Sequence, residues 1–373
     1  MQEIINKDIL PYINKENCMQ SIFEALGKDD LLGISSRAYN RQDQELLEKH
    51  KKMIKTLTKV NLSGLLVSYL SQGWIIECLQ RLKTNDYHEK ALEQLKSGEK
   101  IGAFSLTEPA NGSSYNSMQT TSTVDEEGRW TISGAKNYTS NGGIADYFLL
   151  ATRTVPDNSI SLFLLERGMD GFKIEKKNSF LGNQVAEISY LTFDCKQISD
   201  KYLLGRKGNG LFMLPMCLKF ERIDLALYAT LLAETILEDT IAFLSHRGSV
   251  EQRILDYQVV RHKLVDMQSK IVMMKRFVEG TMNQIMAKKE CMQEILISKI
   301  NATEMAQDVI LQCAKLCGGY GFTEESHIIS SFNDIVGLTI GGGANDVLRN
   351  ALYKYIERVE KSIGGQRNNE CEL

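Results

Sequence analysis

The chain has 373 residues, 43% hydrophobic and 24% charged, enough for two or three domains or one large multilayer unit with an ample core. A net charge of -3 removes the electrostatic case for a nucleic-acid partner or an anionic membrane surface. Eight cysteines without a CxxC spacing, and only five histidines, argue against a zinc site or a disulfide framework and fit a reducing cytoplasm.

The opening residues, Met1-Gln2-Glu3-Ile4-Ile5-Asn6-Lys7-Asp8, lack the apolar stretch of a signal peptide and the Arg-rich, acid-poor pattern of a transit peptide. The expected location is therefore cytoplasmic. Residues 1–102 read as helical: Leu46, Met53, Ile54, Leu57 and Val60 recur at helical spacing. The most apolar early run, 62–82, is broken by Ser63, Ser68, Ser71, Gln72, Glu77 and Gln80, which makes it a buried helix and excludes membrane insertion there. Another amphipathic helix is expected over 88–100, closed by Gly98.

Near residue 101 the period changes from helical to alternating. Short β-branched and aromatic runs at 130–132, 147–152, 160–165 and 188–193 are separated by turn residues, among them Glu127-Gly128, Gly142-Gly143 and Pro156-Asp157-Asn158. This pattern predicts an antiparallel, barrel-like β domain over 103–205. From 206 to 373 the chain is helical again. Residues 211–246 form one apolar-rich segment. A 3.6-residue period then runs through Val260, Leu264, Met267, Ile271, Met274, Val278, Met282 and Ile285, and the segment stops at Gly318-Gly319. The methionines, and the pair Cys313 and Cys317, read as core filling. The last helix is expected over 347–362. The order is helices, β domain, helices: an α+β class, without the βαβ alternation or the GxGxxG of a nicotinamide-binding fold.

Residues 101–141 carry the densest chemical signal. A short apolar strand runs into Thr107-Glu108-Pro109, where the proline ends the ladder, and Gly112-Ser113-Ser114 follow with backbone and hydroxyl donors. The stretch closes on Gly134-Ala135-Lys136-Asn137-Tyr138-Thr139-Ser140-Asn141. With Phe220-Glu221-Arg222, Cys317-Gly318-Gly319-Tyr320-Gly321-Phe322 and the segment 341–349, these motifs lie in the order and spacing that resembles the acyl-CoA dehydrogenase family, across essentially the whole chain.

That resemblance implies an N-terminal helical domain, a middle β domain and a C-terminal four-helix bundle, with FAD bound between the last two and a neighbouring subunit completing the site. Phe104, Leu106, Thr107 and Ser113 then line the flavin. Tyr138-Thr139-Ser140 resemble the family's Trp-Ile-Thr triplet on the ring. Arg247 falls where the family's arginine reaches the diphosphate, and Gln258, Gly318, Gly319, Asn345 and Asp346 fall on further FAD contacts; Ser113, Phe220 and Arg222 fall on the substrate. The family's Arg-x-x-Phe-Gly is here Arg247-Gly248-Ser249-Val250-Glu251, Lys315 replaces a glutamine, and the Arg-Asp pair is Asn333-Asp334. These departures bear on FAD affinity.

The implied reaction is α,β-dehydrogenation of an acyl thioester, with a carboxylate taking the α-proton and hydride passing to flavin N5. Most of the family holds that carboxylate near the C-terminus, where this chain has Gly342. The isovaleryl- and long-chain branches, and prolyl-carrier-protein dehydrogenases, resemble this chain in placing it on a helix just before an arginine. That position is Glu221, before Arg222, with the Gly342 backbone N–H left to face the thioester oxygen. The thioester carrier is CoA or a carrier protein, the electron acceptor an electron-transfer flavoprotein or oxygen, and the assembly a homodimer or homotetramer. Two rivals remain on the same scaffold: a catalytically inactive binding or assembly subunit, and a flavin oxidase.

Overall fold

The computed structural model describes residues 18–60, 62–112, 117–249 and 252–370; Ser113, Ser114 and Glu251 lie outside the described residues. Five helices come first: α1 (Cys18–Lys28), α2 (Ile34–Arg41), α3 (Gln44–Lys59), α4 (Ser63–Leu82) and α5 (Asp86–Ser97). Asp43 caps α3 by accepting from the Glu45 and Leu46 N–H groups, and Asn85 caps α5 through the His88 N–H. Helix α4 is buried on nearly every face, which explains why its sequence shows no amphipathic stripe. Among the described residues no helix is long and apolar enough to cross a membrane.

Eight strands follow: β1 (Gly102–Ser105), β2 (Thr121–Val124), β3 (Trp130–Thr139), β4 (Tyr147–Thr154), β5 (Ser159–Glu166), β6 (Phe172–Lys177), β7 (Ser189–Ile198) and β8 (Leu203–Leu204). They form one sheet in the order β6-β7-β3-β2-β4-β5-β8, with β1 added on β4. The pairings are antiparallel except on β4, where both β1 and β2 run parallel. The alternating pattern predicted an antiparallel sheet; it could not show these two parallel pairings, because they join strands separated by long connections.

The C-terminal helices are α6 (Gly210–Ser245), α7 (Gln258–Met286), α8 (Met292–Cys317), α9 (Ile328–Ile340) and α10 (Asn345–Glu370). The periodic segment 257–317 is two helices rather than one, broken where Ala287 and Lys288 close α7. The last helix is longer than the sequence suggested at both ends. Met267, Met282, Met286, Cys313 and Cys317 are all buried, in keeping with a packing role.

Candidate active site

Glu221 lies on α6, beside the turn that joins α9 to α10. In that turn Gly342 has φ +67° and Gly343 φ +95°, the left-handed region where a side chain is strained. A Cβ placed on Gly342 would lie 3.6 Å from Glu221 Cδ and 3.0 Å from Leu225 Cδ1. A carboxylate on residue 342 and the carboxylate of Glu221 therefore address the same small volume, and glycine leaves it to Glu221. Arg222 Nε donates to the Gly342 carbonyl at 3.0 Å. Successive helix residues point about 100° apart, yet both side chains reach this turn: Glu221 meets its N–H side and Arg222 its C=O side.

Burial pushes the Glu221 carboxyl up to about 7, opposed by Arg222, Lys299 and the Gly342 N–H and reinforced by Asp224. A carboxyl near neutrality is matched to accepting a proton at physiological pH. The Gly342 N–H, expected to face a thioester oxygen, lies near enough to Glu221 to lower its proton affinity. Phe220 is 2% exposed, its ring packed against Tyr39 at 5.3 Å with Lys219 and Arg81 over its faces. Asp224, one turn further along α6, is fully buried; it binds His50 at 2.9 Å and accepts from Trp74 Nε1 at 3.3 Å.

A second group forms where the ends of β1 and β3 meet. Asn137 N–H donates to the Thr107 carbonyl at 2.8 Å, Lys136 Nζ to the Leu106 carbonyl at 2.9 Å, and Thr139 Oγ1 to Ser105 Oγ at 3.4 Å. Phe104, Leu106 and Thr107 are half-buried along this edge, and Ser140 likewise. Tyr138 is 57% exposed, at φ +58°, with Phe180 set edge-on at 6.0 Å. A strained, exposed aromatic beside a half-buried apolar edge suits the flat face of an isoalloxazine ring. Ser113 lies outside the described residues.

A third group gathers beyond the C-terminus of α6. His246, Arg247, Gly248, Ser249, Gln252, Ile254 and Tyr257 line an open cavity of about 620 Å³. The Arg247 guanidinium sits 5.3 Å over Phe243, whose ring stacks on Tyr320 at 4.2 Å, just after Gly318 and Gly319. Nothing lies within 4 Å of where a Cβ on either glycine would be, so the backbone there is open to close approach. Gln258 is exposed at the first turn of α7, a helix N-terminus that favours anions. Arginine, hydroxyl, amide and helix N-terminus together fit a diphosphate. At about 1.5 Å per residue, Glu221 stands roughly 36 Å from the C-terminal end of α6, so the first and third groups are far apart along one helix.

Asn345 and Asp346 do not join either flavin-facing group. The Asn345 amide is buried, donating to Thr303 Oγ1 and Glu304 Oε1 at 3.1 Å and accepting from Lys299. Asp346 is exposed and pairs with Arg349 at 2.8 Å. Lys299 was not singled out from the sequence. Its signal is an internal one: it occupies the stripe of Ile295, Ala302, Ala306 and Ile310, where a lysine is out of place unless it is bonded. Among the described residues no cluster of three or more His, Cys, Asp or Glu side chains could hold a metal ion.

A helical–β–helical scaffold with a partly buried, near-neutral carboxyl is the frame in which the similarities to known proteins fall. The family model of the acyl-CoA dehydrogenase middle domain matches residues 103–195, and that of the C-terminal domain residues 208–356. An acyl-CoA dehydrogenase of Bacillus subtilis (strain 168) is 29% identical over 270 residues, 72% of this chain and 71% of the relative. The mitochondrial long-chain specific acyl-CoA dehydrogenase of Rattus norvegicus is 25% identical over 374 residues, 95% of this chain and 84% of its own. The crystal structure of the Geobacillus kaustophilus acyl-CoA dehydrogenase superposes with a TM-score of 0.87 at 26% identity, covering 95% of each chain. The chain belongs to the acyl-CoA dehydrogenase family, whose enzymes are oxidoreductases that use FAD.

Proposed function

We propose that the protein dehydrogenates the α,β carbon–carbon bond of an acyl thioester, with Glu221 as the base. The observation that carries this is the Glu221 carboxyl, raised to about 7 and facing the spot that a side chain on Gly342 would fill. The α C–H bond breaks, its proton goes to the Glu221 carboxylate, and its electron pair forms the new double bond. FAD, when bound, accepts the β-hydrogen as hydride. Phe104, Leu106, Thr107, Tyr138, Thr139 and Ser140 would hold its ring, and Arg247, Gln258, Gly318 and Gly319 a diphosphate. The length of α6 supports a shared site: Arg247 is too far from Glu221 to serve the same flavin, so a second copy of the chain would supply it. A homodimer or homotetramer satisfies this.

Arg222 holds the Gly342 carbonyl and so fixes the turn on the far side of the base. Glu221 is partly buried on α6, and that burial keeps its proton affinity high. The thioester carrier is CoA or a carrier-protein pantetheine arm; electrons then pass to an electron-transfer flavoprotein or to oxygen.

The test is anaerobic bleaching of the yellow protein by acyl thioesters, with CoA and carrier-protein forms side by side. Wild type bleaches, whereas Glu221→Gln stays yellow and loses roughly a hundredfold to ten-thousandfold in rate, as expected for loss of a base. Full bleaching in the variant overturns the assignment of Glu221. A wild type that binds FAD but never bleaches would instead favour an assembly subunit.

A further inference from the structure

Lys299 is fully buried on α8, and its Nζ lies within hydrogen-bond distance of three acceptors: the Thr339 carbonyl at 3.2 Å, the Gly343 carbonyl at 2.9 Å and Asn345 Oδ1 at 2.8 Å. A neutral amine has two N–H donors and an ammonium three, so this arrangement fits the charged form. Burial pulls the ammonium down to about 7 against the pull of Glu221 and Glu304, so the charge is present at and below neutrality, where the acid limb of Glu221 lies. The Asn345 amide cannot turn its NH2 towards Lys299 without losing Thr303 Oγ1 and Glu304 Oε1, to which that NH2 donates. The acceptors span the turn. Thr339 carries one of the last carbonyls of α9, Gly343 is inside the turn, and Asn345 opens α10. A cation at a helix C-terminus is also favoured by the helix dipole.

The same turn meets α6 twice: Gly342 lies against the Glu221 carboxyl, with 3.6 Å between a Cβ placed there and Cδ, and its carbonyl accepts from Arg222 Nε at 3.0 Å. We propose that Lys299 is a positioning residue for proton abstraction: it locks the glycine turn against which Glu221 is set, and its charge favours the ionised carboxylate that takes the proton. This rests on Glu221 being the base. The charged groups around Glu221 are Arg222 and Asp224 on its own helix and Lys299 on α8; Glu304 faces Lys299 from one turn further along α8. Arg222 and Lys299 act in one direction and Asp224 in the other, so removing Lys299 leaves the carboxyl harder to ionise.

The experiment is the pH dependence of thioester-driven flavin bleaching in the wild-type holoenzyme and in Lys299→Gln, Lys299→Arg, Asn345→Asp and Glu221→Gln. The glutamine variant keeps a polar group but no charge. Its acid limb moves up by about one pH unit, so that at pH 6 it loses roughly tenfold more rate than at pH 9. Lys299→Arg brings the limb back towards wild type. Asn345→Asp keeps Lys299 and adds an opposing charge, and its limb moves up in the same direction; it carries the test should Lys299→Gln not fold. An acid limb that stays in place in a folded Lys299→Gln, or in Asn345→Asp where Lys299→Gln does not fold, overturns the proposal. An inactive Glu221→Gln beside unmoved limbs removes the role of Lys299 alone, whereas an active Glu221→Gln removes the base itself.

Discussion

A carboxyl raised to about 7 from an ordinary value of 4.5 stores a cost that appears in stability as well as in rate. Between these two pH values the folded chain keeps a proton on Glu221 that the unfolded chain releases. The unfolded state then binds fewer protons, so stability falls as pH rises through this window and levels off above it. Glu221→Gln carries no such proton. Relative to wild type, it is expected to gain on the order of 2 kcal/mol between pH 5 and pH 8. Urea unfolding of both proteins at the two pH values measures this. Parallel pH profiles would mean that Glu221 is ionised without penalty, and its fitness as a base near neutrality would go with it. Function and stability oppose each other at this residue, as expected where a site is built to hold a strained protonation state.

At the scale of elements, strands β1 and β3 are joined by a buried ion pair. Lys136, 0% exposed, meets Glu108, 4% exposed, at 2.9 Å, while Glu108 also accepts from the Gln119 and Thr120 N–H groups. Burial alone would raise the Glu108 carboxyl, but Lys136 and the two N–H groups hold it below its usual 4.5. Its contribution to stability is present above that pH and lost as pH falls through the lower folded value. Lys136→Met leaves the carboxylate buried without its cation. It is expected to cost about 3 kcal/mol and, because Lys136 also holds the Leu106 carbonyl, to weaken FAD retention. Thermal melting and flavin release on gel filtration report the two effects. The Thr-Glu-Pro motif stood out in the sequence as the end of a strand, and the resemblance implied that it lines a flavin. Its inward role was not legible, because a glutamate and a lysine 28 positions apart reveal nothing of their pairing until β1 and β3 meet. The same limit hid Lys299. The expected exchange of Gly342 for Glu221, by contrast, rested on two short local motifs, and the structure sets these two residues side by side. The apolar period through 257–317 was also read correctly as helical, but a period is blind to a break that keeps the buried face in phase.

Over the whole molecule, one large apolar cluster draws on the helical, β and helical segments from Met19 to Leu338, beside a smaller one of Leu296, Ile300 and Leu348. Polar side chains tie the segments where the core cannot. Gln72 on α4 donates to the Leu95 and Lys100 carbonyls and accepts from the Gly102 N–H at 2.7 Å. Asn141, fully buried just past β3, donates to the carbonyls of Ser68 at 3.2 Å and Gly102 at 3.0 Å, and accepts from the Ser68 hydroxyl. Its backbone is at φ +63°, a region asparagine tolerates and alanine resists. Asn141→Ala therefore loses three buried partners and adds backbone strain, for about 3 kcal/mol or more. Asn141→Gly loses the same partners and is free of the strain, so it is expected to be milder by roughly 1 kcal/mol. Equal losses in the two variants would assign the whole effect to hydrogen bonds between the helical and β segments, and a near-neutral glycine variant would assign it to the backbone alone. The difference matters for catalysis, because the strand that ends just before Asn141 also presents Tyr138 and Thr139. A loosened junction would reach the proposed flavin surface within three residues, and Asn141→Ala should bleach more slowly with thioester even where it remains folded.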